Sequence, residues 1–199
     1  GKQTHKLLEF GHQALCAIPH RGGMSAEGVG DGAGISVDLS VKFFSDLSKT
    51  KLVYGKFGVG NFFLPNDNHQ HQNAITIVEK TLEKFDLKIL LKRDVPVDDS
   101  KISARAKTLQ LPIKQWVFKS KVNVTDDEFE FKIHKALLYI ESTAYTNSLL
   151  DGFYPLSLSS RLQNLKGRLN SWELIPYFAD LQNKNHCINT LYFHTRFST

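Results

Sequence analysis

The chain has 199 residues, of which 41% are hydrophobic and 23% are charged, as is typical of a globular protein. No apolar run approaches the ~18–20 residues that span a bilayer, and no signal-peptide pattern is present, so no membrane partner is expected. The net charge is +5, but the lysines are scattered singly instead of forming a basic stripe, which disfavours a nucleic-acid partner.

The first half of the chain predicts helices and strands in mixed order. Residues 4–18 have apolar side chains at helical spacing, with Thr4 as the N-cap and Pro19 as the stop. Apolar and polar residues alternate over 35–39, which predicts a half-buried strand. Further predictions are a strand at 53–64, a polar loop at 66–73, a helix at 74–85 and a strand at 87–91.

The second half continues this mixture. Residues 113–118 predict a strand, and Thr125 and Glu128 are the ends of a capping box that opens a helix through Ile140. A strand at 153–157, a short helix at 171–180 and a buried strand at 187–193 follow. No linker, repeat or low-complexity segment interrupts the chain. The sequence therefore predicts one α+β domain over residues 1–199.

The chain has two cysteines, Cys16 and Cys187. This low number of cysteines argues against a disulfide scaffold and fits a reducing compartment. Both lie in apolar surroundings and are interpreted as small buried hydrophobic residues. A cysteine–histidine hydrolase built on Cys16 would need an exposed, activated thiolate, and is disfavoured for that reason.

Two short patterns are considered and set aside. Residues 28–33, "GVGDGA", match the dinucleotide-binding fingerprint formally, but that fingerprint needs a strand before it and a helix after it. Here a loop precedes and a strand follows. His69 and His71 could ligate a metal, yet no third ligand lies nearby, so a solvated loop without metal is preferred.

Two arginines are harder to dismiss. Arg21 lies in a His-Arg-Gly-Gly turn, where glycines let the backbone approach a ligand or another strand closely. Arg196 follows the last predicted strand and precedes Phe197. A guanidinium there offers a planar fork for a carboxylate. The alternative for each, an arginine on the surface or in an ion pair, stays open at this point.

Several motifs occur in a characteristic order along the chain. They are "HRGG", "GVGDGAGI" followed by the pair Phe43-Phe44, "RDVP", "LPIKQWVF", "FYPLSLSSR" and "FHTRFST". Together they resemble the glutamine amidotransferase domain at the start of the glutamate synthase large subunit, over essentially the whole chain. Two departures are Gly23 and Val29, where that family often has alanine and threonine.

The resemblance implies a fold and a reaction. The fold is the α+β N-terminal-nucleophile hydrolase type, a four-layer αββα sandwich, expected here to lack its first strand and its C-terminal part. The reaction is hydrolysis of glutamine to glutamate and ammonia by an N-terminal cysteine, with its α-amine as base and an Asn-Gly pair as oxyanion hole. By resemblance, Arg196 binds the glutamine α-carboxylate, Phe197 and Thr199 line the pocket, and Arg21 and Gly22 lie beside the cysteine.

Neither that cysteine nor the Asn-Gly pair lies within the 199 residues. We therefore expect the chain to be a partial or degenerate domain that contains no catalytic residue and releases no ammonia. Whether it is an enzyme stays open. The alternative is a stand-alone, non-catalytic module that binds a partner or small ligand.

The resemblance also implies cofactors and partners. The full-length family enzyme uses FMN and an iron–sulfur cluster, and no site for either is expected in this chain. Expected partners are glutamine, the rest of the synthase or a chain that completes the fold, and a second copy of the chain. The expected location is the cytoplasm, or the plastid in a photosynthetic eukaryote.

Overall fold

A computed structural model describes residues 2–148 and 152–196. The helices are α1 (Lys6–Ala17), α2 (Val41–Ser48), α3 (Asn68–Lys84), α4 (Ala104–Leu109), α5 (Asp126–Thr146), α6 (Leu174–Tyr177) and α7 (Ala179–Gln182). The strands are β1 (Ala33–Asp38), β2 (Gly58–Phe63), β3 (Leu87–Asp94), β4 (Ile113–Ser120), β5 (Tyr154–Ser159), β6 (Leu162–Gly167) and β7 (Leu191–His194). The strand pairs with an assigned register are all antiparallel. The predicted α+β class is confirmed.

The chain forms two compact units, each assembled from separate stretches of sequence. Unit 1 comprises Gly1–Phe43, Val95–Gln110 and Asn164–Thr199, and unit 2 comprises Phe44–Asp94 and Leu111–Gln163. Unit 1 contains a three-stranded sheet in the order β6-β1-β7, with β6 beginning at the boundary of the two units. Unit 2 contains a four-stranded sheet in the order β3-β4-β2-β5.

Unit 2 is built around an aromatic core. Helices α3 and α5 contact each other, and their apolar faces pack with side chains of the sheet into one buried cluster. The Phe62 ring meets Trp116 edge-on at 5.6 Å between ring centroids and stacks on Phe153 at 5.8 Å. Aromatic pairs at these distances add to the free energy already gained by burying their area.

A chain of polar side chains also lies in unit 2. Arg93 donates from Nε to Oε1 of Gln115 at 2.9 Å, and Gln115 donates from Nε2 to Oδ1 of Asn61 at 2.8 Å. Asn61 in turn donates from Nδ2 to Oε1 of Gln163 at 3.3 Å. The three amides are at most 1% exposed. Burying a side-chain amide costs free energy unless the amide is hydrogen-bonded. Here each amide has a hydrogen-bond partner on a neighbouring strand, which offsets that cost.

The predicted capping box at the start of α5 is confirmed. Thr125 accepts a hydrogen bond from the Glu128 N–H, and the Glu128 carboxylate accepts from the Thr125 N–H at 2.8 Å and from its hydroxyl. The N–H bond first, and the hydroxyl bond second, lower the pKa of Glu128 below its ordinary value of 4.5. Both bonds are accepted by the same oxygen, Oε2, and they lower the pKa because an ionised carboxylate is a stronger acceptor than a protonated one.

This lowered pKa predicts how acid affects the cap. A carboxyl whose pKa is lowered by folding stabilises the fold above its unfolded pKa, and that stabilisation is lost as the pH falls through its folded pKa. We therefore expect Glu128→Gln to be less stable than the wild type at pH 7, and the difference to shrink between about pH 5 and pH 3. Urea unfolding followed across this range measures it. Stability profiles that stay parallel for the two proteins would contradict the role given to the ionised carboxylate.

In unit 1, a partly buried aspartate links segments that are distant in sequence. The Asp38 carboxylate accepts from the side-chain amide of Gln3 at 2.8 Å and from the N–H groups of Asn189 and Thr190 at 2.8 and 2.7 Å. Helix α1 packs nearby through its apolar face, where Gly11 leaves room for the Leu191 side chain. These contacts hold the segment before β7 and thereby position the residues that follow that strand.

Three sequence predictions about secondary structure are wrong. Residues 68–73 are not a loop but the first turns of α3, because Asp67 caps that helix by accepting from the Gln70 N–H. The last strand is shorter than predicted and is not buried, since Tyr192 is 70% exposed. Thr4 is not the N-cap of α1, which begins at Lys6 without a side-chain cap. Helices α2 and α4 and strand β6 were not predicted at all.

The interpretation of both cysteines as buried is also wrong. Cys16 is exposed, and Cys187 is only partly buried. Helix α1 turns Leu8, Gly11 and Leu15 toward the core, so the next residue, Cys16, faces outward at about 100° from Leu15. The apolar neighbours of Cys16 in sequence are therefore not its neighbours in space.

Candidate functional site

The turn that carries Arg21 is a single turn of 3-10 helix, Pro19–Arg21. Pro19 starts it without needing an N–H donor, and Gly22 ends it by donating from its N–H to the Pro19 carbonyl at 3.2 Å. Arg21 is exposed at the end of this turn. A short, proline-started turn of this kind fixes the direction in which the backbone enters the glycine-rich loop.

This turn lies against the segment that follows β7. A Cβ built on Gly22 would lie 3.3 Å from the Thr195 carbonyl oxygen, so the two backbones touch. His194 pairs with Gly34 across the sheet, and its Nδ1 hydrogen-bonds the Arg196 carbonyl. A carbonyl oxygen can only accept, so Nδ1 carries the hydrogen. Two predicted site segments, around Gly22 and around Arg196, are thus brought together within unit 1.

The glycine-rich loop is folded back on itself. Asp31 donates from its N–H to the Gly23 carbonyl at 2.8 Å, and Met24 pairs with Gly30. The exposed Asp31 carboxylate occupies the space where a side chain at residue 23 would begin, since Oδ2 lies 2.1 Å from the ideal Cβ position. Gly28 has φ +75°, a left-handed conformation that favours glycine. The loop is therefore a defined structure and not a free linker.

Gly30 and Gly23 should respond very differently to alanine. At Gly30 a Cβ would lie 2.2 Å from the Leu169 carbonyl oxygen, a backbone atom that cannot move aside. At Gly23 the obstacle is the end of the Asp31 side chain, which can rotate toward solvent. We expect Gly30→Ala to cost about 2 kcal/mol of unfolding free energy and Gly23→Ala less than about 0.5 kcal/mol. Urea denaturation of the pair measures this, and equal losses would mean that the loop is not anchored as described.

Arg21 and Arg196 are both exposed residues. Within residues 2–148 and 152–196, neither Arg21 nor Arg196 forms an ion pair. By contrast, Arg161 forms an ion pair with Asp127, and Arg105 forms one with Glu27. A guanidinium on a fixed backbone, without a protein carboxylate, can offer its two parallel N–H groups to a carboxylate ligand.

The predicted site residues are only partly described. Gly22 contacts the backbone beside Arg196, and Arg21 is its sequence neighbour, whereas Phe197 and Thr199 lie outside the described residues. Sequence reasoning missed His194 and Asp31 as parts of this region. His194 could have been found from its place inside "FHTRFST", since it precedes Arg196 by two residues. The fold of Asp31 onto Gly23 is a contact across a loop that no local pattern indicates.

The other candidates from the sequence take different places. Residues 28–32 lead into strand β1, as the sequence predicted. The dinucleotide fingerprint requires a helix at this point. His69 and His71 lie in the first turns of α3, where His71 contacts the Pro65 carbonyl. Among the described residues, no three His, Cys, Asp or Glu side chains are grouped as metal ligands. Nor is any helix within them long and apolar enough to cross a membrane.

The thiols lie in two different settings. The Cys16 sulfur is 3.8 Å from Nε2 of His12, one turn earlier on the exposed side of α1. The Cys187 thiol donates to the Lys184 carbonyl at 3.6 Å, within a tight turn before β7. Among the residues that the structure describes, neither thiol hydrogen-bonds to the segment around Gly22 and Thr195.

Comparison with known proteins gives a consistent picture. The family model described as "Glutamine amidotransferases class-II" matches residues 1–199. The glutamate synthase [NADPH] large chain of Azospirillum brasilense is 32% identical, and the ferredoxin-dependent glutamate synthase 2 of Synechocystis is 31% identical. The glutamate synthase [NADH] of Saccharomyces cerevisiae is 30% identical. Each alignment covers 100% of this chain but only 13%, 13% and 10% of the respective relative.

These matches confirm the resemblance inferred from the motifs. They also confirm the fold class that the resemblance implies, the α+β fold of the N-terminal-nucleophile hydrolases. The chain spans about an eighth of the length of the first two of these relatives.

Proposed function

Since the chain belongs to the class-II glutamine amidotransferases, we propose that it forms the glutamine-binding part of a glutaminase domain of the glutamate synthase type. The observation that carries this proposal is the contact between Gly22 and the Thr195 backbone. It joins two motifs that are about 170 residues apart in sequence and that the family resemblance assigns to one site. The ligand is proposed to be glutamine, and the products glutamate and ammonia.

The proposed role of Arg196 follows from its chemistry. Free glutamine carries a carboxylate that a peptide-bound glutamine lacks. A bidentate pair between the Arg196 guanidinium and that carboxylate selects the free amino acid and fixes its orientation. The hydrogen bond from His194 to the Arg196 carbonyl holds the backbone from which the guanidinium projects. Arg21 adds a second positive charge at the end of its turn, which favours an anionic group there.

The nucleophile is proposed to be a cysteine other than Cys16 and Cys187. Attack on the glutamine amide needs a thiolate next to the bound substrate, and neither thiol contacts the described parts of the site. With the cysteine in place, its thiolate adds to the amide carbon, ammonia leaves, and water releases glutamate from the thioester. This chain alone is accordingly proposed to release no ammonia.

The residues present do not fit the FMN and iron–sulfur cluster that the family resemblance implies. A cluster is held by three or four cysteine thiolates, and this chain has two cysteines. A flavin phosphate is commonly bound at a helix N-terminus after a glycine loop, but the glycine loop here leads into β1. We therefore propose that any such groups belong to the rest of a larger synthase that consumes the ammonia.

An assay of ammonia release from glutamine by the full-length protein tests the proposal. We expect release that is strongly reduced by Arg196→Ala and unchanged by Cys16→Ser and Cys187→Ser. Loss of activity in either cysteine variant would mean that an internal thiol is the nucleophile. Glutamine binding in calorimetry without ammonia release would instead support a non-catalytic binding module.

A further inference from the structure

A cavity of about 440 Å³ lies between helices α3 and α5, entirely within unit 2. Small-molecule sites in proteins have volumes of roughly 300–1,000 Å³, so this cavity is large enough for a small ligand. We call it the α3–α5 cleft. Among the described residues that line it, two are lysines, Lys80 and Lys84, and none is an aspartate or a glutamate. Its chemistry therefore favours an anionic ligand.

The two lysines lie one turn apart on the face of α3 that lines the cleft. The glutamate that precedes each of them in sequence forms an ion pair with a residue outside the cleft. These pairs are Glu79 with Lys92, at 2.7 Å, and Glu83 with Lys121. In the parts of the chain that the structure describes, Lys80 and Lys84 themselves form no ion pair. The cleft thus carries two positive charges that no carboxylate of those parts neutralises.

Tyr139 lines the cleft from the side of α5. The Lys84 Nζ lies 4.7 Å from the centroid of the Tyr139 ring, a cation–π contact that holds the ammonium group beside the cleft. Phe85 meets the same ring at 5.9 Å in an edge-on arrangement and packs against the core of unit 2. Glu141, the next acidic residue along α5, lies about 200° around the helix from Tyr139 and so on its far side. The positive end of the cleft is therefore built from side chains with defined contacts.

Hydroxyl groups contribute much of the remaining lining of the cleft. Thr76, Thr81 and Thr143 each donate the hydroxyl hydrogen to the backbone carbonyl four residues earlier, at 2.9, 2.7 and 2.7 Å. A hydroxyl has one hydrogen, so each of these oxygens can only accept a further hydrogen bond. Hydroxyl groups of a ligand can donate to such oxygens. The cleft therefore combines positive donors with neutral acceptors, which suits a ligand that has both an anionic group and hydroxyl groups.

We propose that the α3–α5 cleft binds a small phosphorylated polyol, with its phosphoryl group at Lys80 and Lys84 and its hydroxyl groups on the threonine oxygens. A phosphoryl dianion balances the two charges and relieves the repulsion between ammonium groups four residues apart on a helix. Lysine binds phosphate as a compact point charge with rotatable donors, whereas a planar carboxylate is matched best by the fork of an arginine. The inference does not depend on the proposed glutaminase function, since it uses only residues of unit 2.

Acetylation of the full-length protein with acetic anhydride, followed by peptide mass spectrometry, tests this site lysine by lysine. Ribose 5-phosphate at about 5 mM should slow the acetylation of Lys80 and Lys84 at least about threefold. Lys135 is the matched control, because its Nζ lies over the Phe131 ring at 4.4 Å much as Lys84 lies over Tyr139, and its rate should not change. Equal rates for Lys80 with and without the ligand would overturn the inference. Lysines of the cleft that do not react even without ligand would show that the rest of the protein covers it, with the same consequence.

Related compounds test the class of ligand by the same measurement. Inorganic phosphate should protect the two lysines only at about tenfold higher concentration than ribose 5-phosphate, because it lacks the hydroxyl groups. Ribose, which lacks the charge, and succinate, a dicarboxylate, should protect still less. Protection by succinate equal to that by ribose 5-phosphate would overturn the assignment to a phosphoryl group. Protection that disappears in about 150 mM potassium chloride would mean that the lysines attract anions only as a screened surface charge.

Two substitutions test the two ends of the cleft separately, with the half-protecting concentration at Lys84 as the readout. Lys80→Ala should raise that concentration at least about fivefold for both ribose 5-phosphate and inorganic phosphate, whereas Lys135→Ala should leave it within about twofold. Thr143→Val keeps the shape of the side chain but removes its oxygen, so it should raise the value about threefold for ribose 5-phosphate alone. An unchanged value in Lys80→Ala would overturn the site. An equal rise for both ligands in Thr143→Val would overturn the placement of the hydroxyl groups.

Discussion

Arg196→Lys is expected to raise KM for glutamine about 10- to 100-fold in the full-length protein, with a smaller effect on kcat. Lysine keeps the positive charge but loses the planar fork that offers two parallel N–H groups to a carboxylate. A hydrogen bond to a charged group contributes about 1.5–3 kcal/mol, and each 1.4 kcal/mol corresponds to a factor of ten in affinity. Steady-state kinetics with glutamine as the varied substrate measures the two constants separately.

A matched control separates this effect from a general loss of arginine. Arg105 pairs with Glu27 on the surface, and Arg105→Lys should leave both constants within about twofold. The nucleophilic cysteine of the Arg196→Lys variant should still react at the wild-type rate with a small alkylating agent that lacks a carboxylate. An unchanged KM for glutamine would mean that Arg196 does not bind the substrate carboxylate. A slowed alkylation would point to a distorted site instead.

Gln115→Leu is expected to cost about 3 kcal/mol of unfolding free energy. The substitution removes the acceptor for two N–H groups of the partly buried Arg93 and the donor to the fully buried Asn61. Each buried polar group that loses its partner costs about 1–3 kcal/mol, and more when it is charged. The added apolar contacts of leucine offset only part of this. Urea unfolding monitored by tryptophan fluorescence in a Trp172→Phe background reports on unit 2, since Trp116, the other tryptophan of the 199 residues, lies in the core of that unit.

An amide on the surface supplies the comparison for Gln115. Gln72 is exposed on α3, and Gln72→Leu should change the unfolding free energy by less than about 0.5 kcal/mol. The two substitutions are chemically identical, so any difference between them comes from the surroundings of the amide. If Gln115→Leu were as mild as Gln72→Leu, the polar chain through Arg93 and Asn61 would not contribute to the stability of unit 2.

The features that sequence reasoning predicted correctly are those decided by neighbouring residues. The capping box at Thr125 and Glu128 is complete within four residues, and its hydrogen bonds form as expected. Residues 113–118 are a short apolar run rich in β-formers and lie within β4. The arginine turn and "FHTRFST" could be assigned to one site only through the resemblance to a known family. Spacing alone favoured an arginine on the surface or in an ion pair.

The errors arise where distant contacts decide the outcome. Residues 68–73 are polar and resemble a loop, but the Asp67 cap and the continuing apolar face of α3 extend the helix through them. Residues 187–193 resemble a core strand, yet only β7 forms, with Tyr192 exposed. The apolar residues around Cys16 hid its outward position, which follows from the helix angle once Leu15 is known to be buried. Gly22 and Thr195 meet only because β1 and β7 pair.

The nesting of the two units has a consequence for the order in which the protein acquires its structure on the ribosome. Unit 2 is complete in sequence at Gln163, whereas unit 1 needs residues on both sides of it. The Asp38 carboxylate cannot receive the N–H groups of Asn189 and Thr190 until those residues have been synthesised. Units of this kind generally fold as their last segment emerges. Unit 2 can therefore fold before β7 has been synthesised to pair with β1, and the segment around Arg196 reaches the Gly22 turn only after unit 2 is complete in sequence.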